Sequence, residues 1–207
     1  MGLMSSLSFA HIPKVETGVN QGDVFRDVRY AFIDSENDES IEIVEYTFPY
    51  AIVVSQSCDV CFMDEFESSE EKVPLKFMPS ILMCPIYSMN QLKTSDHLAE
   101  IYREMKYTYP AKPEKKNYLV GDDRKVMLKD QHVRFHHLSI SIKEPTDKDG
   151  TPFISDAVLD FKHVFSLPMK QLRTMRRLQR MCTLDDLYID QIVNKMCAYI
   201  SRIGLPV

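Results

Sequence analysis

A chain of 207 residues, 44% hydrophobic and 27% charged, has enough apolar matter for one domain with a real core and is not the composition of a disordered segment. A formal net charge of −5 excludes a uniformly basic surface, so a nucleic-acid role requires a local cationic patch. No apolar run approaches the roughly 20 residues of a membrane span, and the odd count of 5 cysteines favours reduced thiols in a cytoplasmic protein over a disulfide framework.

Residues 1–20 read as an irregular N-terminal arm without the basic start of a secretory signal. From Asp23 the pattern turns β-like, with Val28, Tyr30 and Phe32 alternating with Arg29, Ala31 and Ile33. The polar loop Asp34–Ser40 leads to a second strand, Ile41 to Tyr46, which Pro49 ends. Tyr50 to Val54 then shows no alternation, the mark of a third strand buried on both faces. That strand runs into the polar turn Ser55–Asp59, and the acidic connector Phe62–Lys72 follows. Ile81–Tyr87 is a further short buried strand.

An internal helix is expected from Ser95-Asp96, with Leu98, Ile101, Tyr102 and Met105 at helical spacing before Pro110 stops it. Tyr118–Val120 and Lys125–Leu128, around Gly121-Asp122-Asp123, read as a hairpin, and residues 131–142 as a strand with a phase slip at His136-His137. After the loop Glu144–Pro152, the strand expected from Ala157 to Phe165 puts His163 on its apolar face and Asp160 on the other, where it cannot orient that histidine. A helix is expected from Thr183, with Asp185 and Asp186 in its first turn, an apolar stripe of Leu184, Leu187, Ile192, Met196, Ile200 and Ile203, and Gly204 closing it.

Short strands punctuated by turns point to an α+β fold: a small antiparallel SH3-like β-barrel with one internal helix and a C-terminal amphipathic helix. The chain reads as a single domain, 1–207, with an arm at 1–20, the barrel at 21–166 and a helical extension at 167–207.

Three patterns carry chemistry. Cys58-x-x-Cys61 supplies two thiols at zinc-clasping spacing, but a structural site needs four ligands, and Cys84 with His132, His136 and His137 is the remaining supply on separate strands. The expectation is therefore no metal and no cofactor, with the cysteines as small buried fillers at a strand end. Cys58 or Asp59 with His163 is a thiol-enzyme pairing, set against the commoner reading of a bonded core histidine. Lys170, Arg173, Arg176, Arg177 and Arg180 form, on a helix, a basic face that suits phosphate contact; the competing reading is a solvated face or a mate for the acidic loop Asp64–Glu71.

The stretches "QGDVFRDVRY", "FPYAIVVSQ" and "ILMCPIYSMN" resemble the skeleton of the MazF/PemK-type barrels of bacterial toxin–antitoxin systems, over roughly Gln21 to Leu138. The resemblance implies an SH3-like barrel, a homodimer, an antitoxin-like partner and metal-independent cleavage of single-stranded RNA. The family's hydroxyl position falls on Ser88. Its arginine position falls near Thr47 to Pro49, where no arginine stands, leaving Arg26 or Arg29 as a substitute from a neighbouring strand. That cation matters because the phosphate charge that develops during cleavage needs stabilisation.

Three readings of function follow. One is a bacterial toxin-like protein that cuts or binds RNA in stress response or phage defence, with Arg29 and Ser88 as its catalytic groups. Another is a non-catalytic barrel that binds a partner protein or ligand near the Ser55–Asp59 turn. A thiol enzyme built on Cys58 and His163 is the third.

Overall fold

The computed structural model describes residues 10–11, 18–36, 41–56, 79–94, 125–126, 129, 131–138, 156–175 and 179–202. They form an α+β fold around one antiparallel sheet. Its strands are β1 (Ala10–His11), β2 (Asp23–Glu36), β3 (Ile41–Val53), β4 (Ser80–Ser88), β5 (Phe135–Leu138), β6 (Ala157–Asp160), β7 (Phe165–Pro168) and β8 (Arg180–Leu184). Three helices accompany them: α1 (Met89–Thr94), α2 (Met169–Met175) and α3 (Asp186–Arg202). The strand order is β1-β8-β2-β3-β4-β6-β5, with β7 also on β4. This path is open, ending at β1 and β5, so the described strands do not close into a barrel.

The second and third strands expected from the sequence are one strand. Pro49 does not end it but bends it, because the β2–β3 ladder passes from Arg26–Tyr50 to Val28–Phe48 with Asp27 and Pro49 left out. Asp27 takes a positive φ of 51° there. Both strands change phase at that point, so Phe25 and Val28 in β2, and Ala51 and Phe48 in β3, all enter one core cluster. Proline is tolerated because this position makes no ladder bond.

A second break explains the site described below. β4 pairs with β6 along Ile86–Ser88 and with β7 along Ser80–Met83. The two short strands are one returning segment interrupted by a 3₁₀ turn, Phe161–His163. Pro85 lies opposite the interruption. Val54 N–H donates to the Leu82 carbonyl at 3.0 Å, and the alternation of that ladder points the Pro85 nitrogen away from β3, toward the break. A proline there has no N–H to offer. The continuous strand expected over 157–165 therefore does not form, and Phe161 and His163 leave the alternation that would have given them one face.

Each face of the sheet has its own cover. One carries Val24, Ile52, Cys84, Ile86 and Leu159 beneath Ile189, Ile192 and Met196 of α3. The other carries Phe25, Ala51, Val53, Ile81 and Met83 beneath Met169, Leu172 and Met175 of α2. Tyr87, Phe135 and Val158 make a smaller cluster with Met89 and Leu92 of α1. Burying aliphatic side chains of this kind stabilises the fold by roughly 1.5–3 kcal/mol each. The α3 stripe thus packs on its own sheet. It is not the one read from sequence: Leu187 and Ile200 are 65% and 50% exposed, and Leu184 belongs to β8. The helix starts at Asp186 rather than Thr183, with the Asp185 carbonyl receiving the Tyr188 and Ile189 amides.

Two further expectations change. Lys125 and Val126 are helical rather than part of a hairpin strand, and Lys129 N–H donates to the Lys125 carbonyl. The internal helix expected near residues 95–105 lies outside the described residues. No helix among the described residues is long and apolar enough to cross a membrane.

Candidate nucleic-acid interface

The basic segment does not form one helix. α2 ends at Met175, and Arg180 begins strand β8, so the face predicted from Arg173, Arg176, Arg177 and Arg180 cannot exist as drawn. Arg180 is in fact structural. Its side chain is 3% exposed and donates from Nη1 to Asp23 Oδ2 at 3.1 Å and to the Gly18 carbonyl at 2.9 Å. Asp23 also accepts from Thr183 Oγ1 at 2.5 Å and from the Asn20 amide at 2.9 Å. Burial still outweighs these donors and raises the Asp23 pKa above 3.8.

Lys170 keeps the position expected of it, exposed on α2. Arg173 is on the same helix, and Arg176 and Arg177 lie outside the described residues. Arg29, expected as the substitute cation, is exposed on β2 and meets this helix: Gln171 Nε2 donates to the Arg29 carbonyl at 2.7 Å. Gln179 Nε2 likewise donates to the Asp27 carbonyl at 3.0 Å. These two amides tie α2 and the chain after it to the edge of β2 where β8 no longer pairs. Between them opens a groove of about 350 Å³ lined by Asp27, Arg29, Gln171, Thr174, Met175 and Gln179. Asp27 sits 3.9 Å from Arg26 Nε, so the carboxylate among the described lining residues has its own cation nearby.

The remaining candidates lie elsewhere. Ser88 ends β4 and starts α1 with a reciprocal cap, its Oγ accepting from Gln91 N–H at 3.2 Å while Gln91 Oε1 accepts from Ser88 N–H at 2.9 Å. Ser55 extends the β3–β4 ladder with its side chain, accepting the Leu82 amide at 2.8 Å. Cys58, Asp59 and Cys61 lie outside the described residues. Cys84 is fully buried in the sheet core, which pushes its thiol pKa well above 9.0 and makes it a filler rather than a nucleophile. Among the described residues no group of three His, Cys, Asp or Glu side chains is placed to hold a metal ion.

His163 has the partner the sequence reading denied it. The 3₁₀ turn brings its Nδ1 to 2.9 Å from Asp160 Oδ2. Asp160 is fully buried and also receives Arg134 in a two-pronged contact, Nε at 2.6 Å and Nη2 at 2.5 Å, and caps the turn by accepting from Lys162 N–H at 3.1 Å. Burial alone would raise the Asp160 pKa, but the hydrogen bonds and charges of Arg134 and His163 bring it down to about 2. The result is an ionised carboxylate with a histidine nitrogen close beside it and an arginine offsetting its charge. Arg134 was not singled out from sequence, because it is some 26 residues from its partner. The Asp160-x-x-His163 spacing was the available signal.

A scan against protein-family models finds no match for this chain, and a search of curated proteins finds none.

Proposed function

We propose that this is a bacterial toxin-like protein that binds single-stranded RNA, with the groove between β2 and α2 as its phosphate-contacting surface. One observation supports the reading above the others: Arg29 and the helix carrying Lys170, which are far apart in sequence, share a single groove. Arg29 supplies a cation within the groove and Lys170 stands exposed on α2 beside it, an arrangement that suits a phosphodiester backbone, and the amide side chains of Gln171 and Gln179 suit sugar and base edges. In this reading the bent β2–β3–β4 meander corresponds to the core of an SH3-like barrel of the MazF/PemK type, and the protein works in the cytoplasm, as a homodimer or with an antitoxin-like partner. The cleaving form of the reading makes Arg29 the phosphate cation and takes Ser88, which lies outside the groove lining and caps α1, as the hydroxyl.

The test is binding and cleavage of a mixed single-stranded RNA in EDTA, by wild-type protein and by an Arg29→Ala/Lys170→Ala variant. Salt-dependent binding that falls about tenfold or more in the variant is expected. Cleavage that survives EDTA and fails with Arg29→Ala would extend the reading to a ribonuclease. Folded wild-type protein that neither binds nor cuts RNA would leave the non-catalytic partner-binding reading.

A further inference from the structure

Past Phe25, the side of β2 that faces away from β3 is an open sheet edge. β8 pairs with Asp23 to Phe25 alone, and no other described strand pairs with β2 on that side. The Arg29 carbonyl points outward there, because it accepts from Gln171 Nε2 at 2.7 Å. Main-chain groups alternate along a strand, so Tyr30 and Phe32 serve the β3 ladder while Ala31 and Ile33 turn N–H and C=O to the open edge. Neither Ala31 nor Ile33 has a hydrogen-bond partner on that side among the described residues. Arg29, Ala31 and Ile33 are exposed, Ile33 by 57%. A row of unpaired main-chain groups of this kind is a template for another strand.

The two ends of this edge carry opposite charge. Arg29 begins it, and the Gln171 bond ties α2 with its exposed Lys170 to the same end. Neither cation is in an ion pair among the described residues. Toward the other end, the stretch from Ala31 to Tyr46 holds Asp34, Glu36, Asp38, Glu39, Glu42 and Glu45 and no lysine or arginine. Ile33 and Ile43 form an exposed cross-strand pair there. An acidic, apolar strand end repels RNA and anionic lipid. It suits a partner edge that offers cations and aliphatic stems, and the Arg29 end of this same edge is one.

We infer that the open edge of β2 seats a second copy of this chain, paired antiparallel about a two-fold axis at Ala31. Ala31 then opposes its own counterpart, and the two exchange both N–H···O bonds. Arg29 opposes the partner's Ile33, so like charges do not meet and the arginine stem lies on the isoleucine. The acidic end of each β2 reaches the Arg29 and Lys170 end of the other, and the symmetry makes this contact twice. Parallel pairing would instead set acid beside acid. The register irregularity between Ile33 and Ser35 turns the strand out of the ladder before it runs into Gln171. The pairing uses the sheet edge and stands whether or not the groove beside it takes RNA.

Sedimentation velocity of the full chain from roughly 1 to 500 µM tests this, with hydrogen exchange read amide by amide. A reversible dimer is expected, with the Ala31 and Ile33 amides protected only where the dimer is populated and Tyr30 and Phe32 protected throughout. Ala31→Pro removes an N–H that the β3 ladder does not use. Ile33→Lys sets a like charge against the partner's Arg29, and at an exposed position it carries the test if the proline disturbs the strand. Each should weaken the dimer about tenfold or more, Ile33→Lys with an unchanged melting temperature. Lys170→Glu should weaken it as well, and adding Glu36→Lys should restore part of that loss, because the two-fold arrangement brings those ends together. Folded wild type that stays monomeric throughout would overturn the inference, whether or not a different protein is found on this edge. So would a dimer that is indifferent to both Ala31→Pro and Ile33→Lys.

Discussion

Asp160 and His163 meet, Oδ2 to Nδ1 at 2.9 Å, although in an unbroken strand they would point to opposite faces. The contact exists because a 3₁₀ turn replaces the strand opposite Pro85, and it joins Arg134 to form a buried arginine–carboxylate–histidine cluster. Such a cluster is costly to break from one side, since the surviving charges keep their desolvation without their partner.

The cluster makes acid stability a readout of one residue. The folded pKa of Asp160, about 2, lies below its ordinary 3.8. Between those values the unfolded chain takes up a proton that the folded chain refuses, so stability is complete above about pH 4 and is lost as the pH falls toward 2. The difference corresponds to about 2.5 kcal/mol. Asp160→Asn should lower stability near neutral pH by about 3 kcal/mol, by stranding Arg134, and should flatten this acid limb. Asp23 has the opposite sign: burial raises its pKa, so its ionisation costs stability as the pH rises through the raised value. Urea denaturation of wild type and Asp160→Asn across pH 2 to 6 checks this, and an acid limb of equal slope in both would refute it.

Gly22 is a close joint between the start of β2 and α3. Its φ is +88°, and a Cβ there would lie 2.4 Å from Ile189 Cδ1 and 2.7 Å from Cγ1. The residue also bridges strands, donating to the Val53 carbonyl at 2.9 Å and accepting from the Leu184 amide at 3.0 Å. Gly22→Ala combines backbone strain of about 1–2 kcal/mol with displacement of Ile189, for an expected loss of about 2–3 kcal/mol. Adding Ile189→Ala to Gly22→Ala should cost less than the sum of the two single changes, because removing the Ile189 side chain relieves the clash that the new methyl creates. Additive losses in thermal or urea melts would show that the two residues do not collide.

Much of the sheet was legible in the residue pattern. The unalternating run Ala51–Val54 announced a central strand, and the alternation of Val28, Tyr30 and Phe32 with Arg29, Ala31 and Ile33 announced a strand with one wet face, because burial on one or two sides is written directly into period-two hydrophobicity. What escaped was everything set by a partner in space. Pro49 looked like a stop, yet Asp27 across the ladder bends with it. Asp160 looked misdirected until Pro85, on another strand, broke its own. The basic run Lys170–Arg180 has helical spacing, but Arg180 is claimed by Asp23, and no local rule weighs a buried carboxylate at a distant position. Thr183 resembles a helix start for the same reason: its hydroxyl is spent on Asp23 rather than on an amide of α3. The groove that joins Arg29 to α2 depends on Gln171 and Gln179, two amides with no sequence signal at all.

Ser88 separates a structural hydroxyl from a chemical one. Its Oγ caps α1, and Ser88→Ala should lower stability by about 1 kcal/mol. Ser88→Asp restores an acceptor for the Gln91 amide and should recover most of that loss, while offering no hydroxyl to RNA chemistry. If Ser88→Asp is stable and its RNA behaviour matches wild type, Ser88 serves α1 alone. If it is stable and RNA cleavage is abolished, the hydroxyl takes part in the reaction.

Arg180 and Lys170 give the sharpest contrast within the basic segment. Arg180 lies buried against Asp23, so Arg180→Met strands a carboxylate and should destabilise the fold by about 3 kcal/mol. The same variant, assayed where it is still folded, should bind single-stranded RNA as wild type does, because the side chain never reaches solvent. Lys170→Ala should behave in reverse, melting like wild type while weakening RNA binding severalfold and shallowing its salt dependence. Fluorescence anisotropy across a salt series, alongside urea melts, reads both effects. A folded Arg180→Met protein with impaired RNA binding would return that arginine to the interface, and unaltered binding in Lys170→Ala would remove α2 from it.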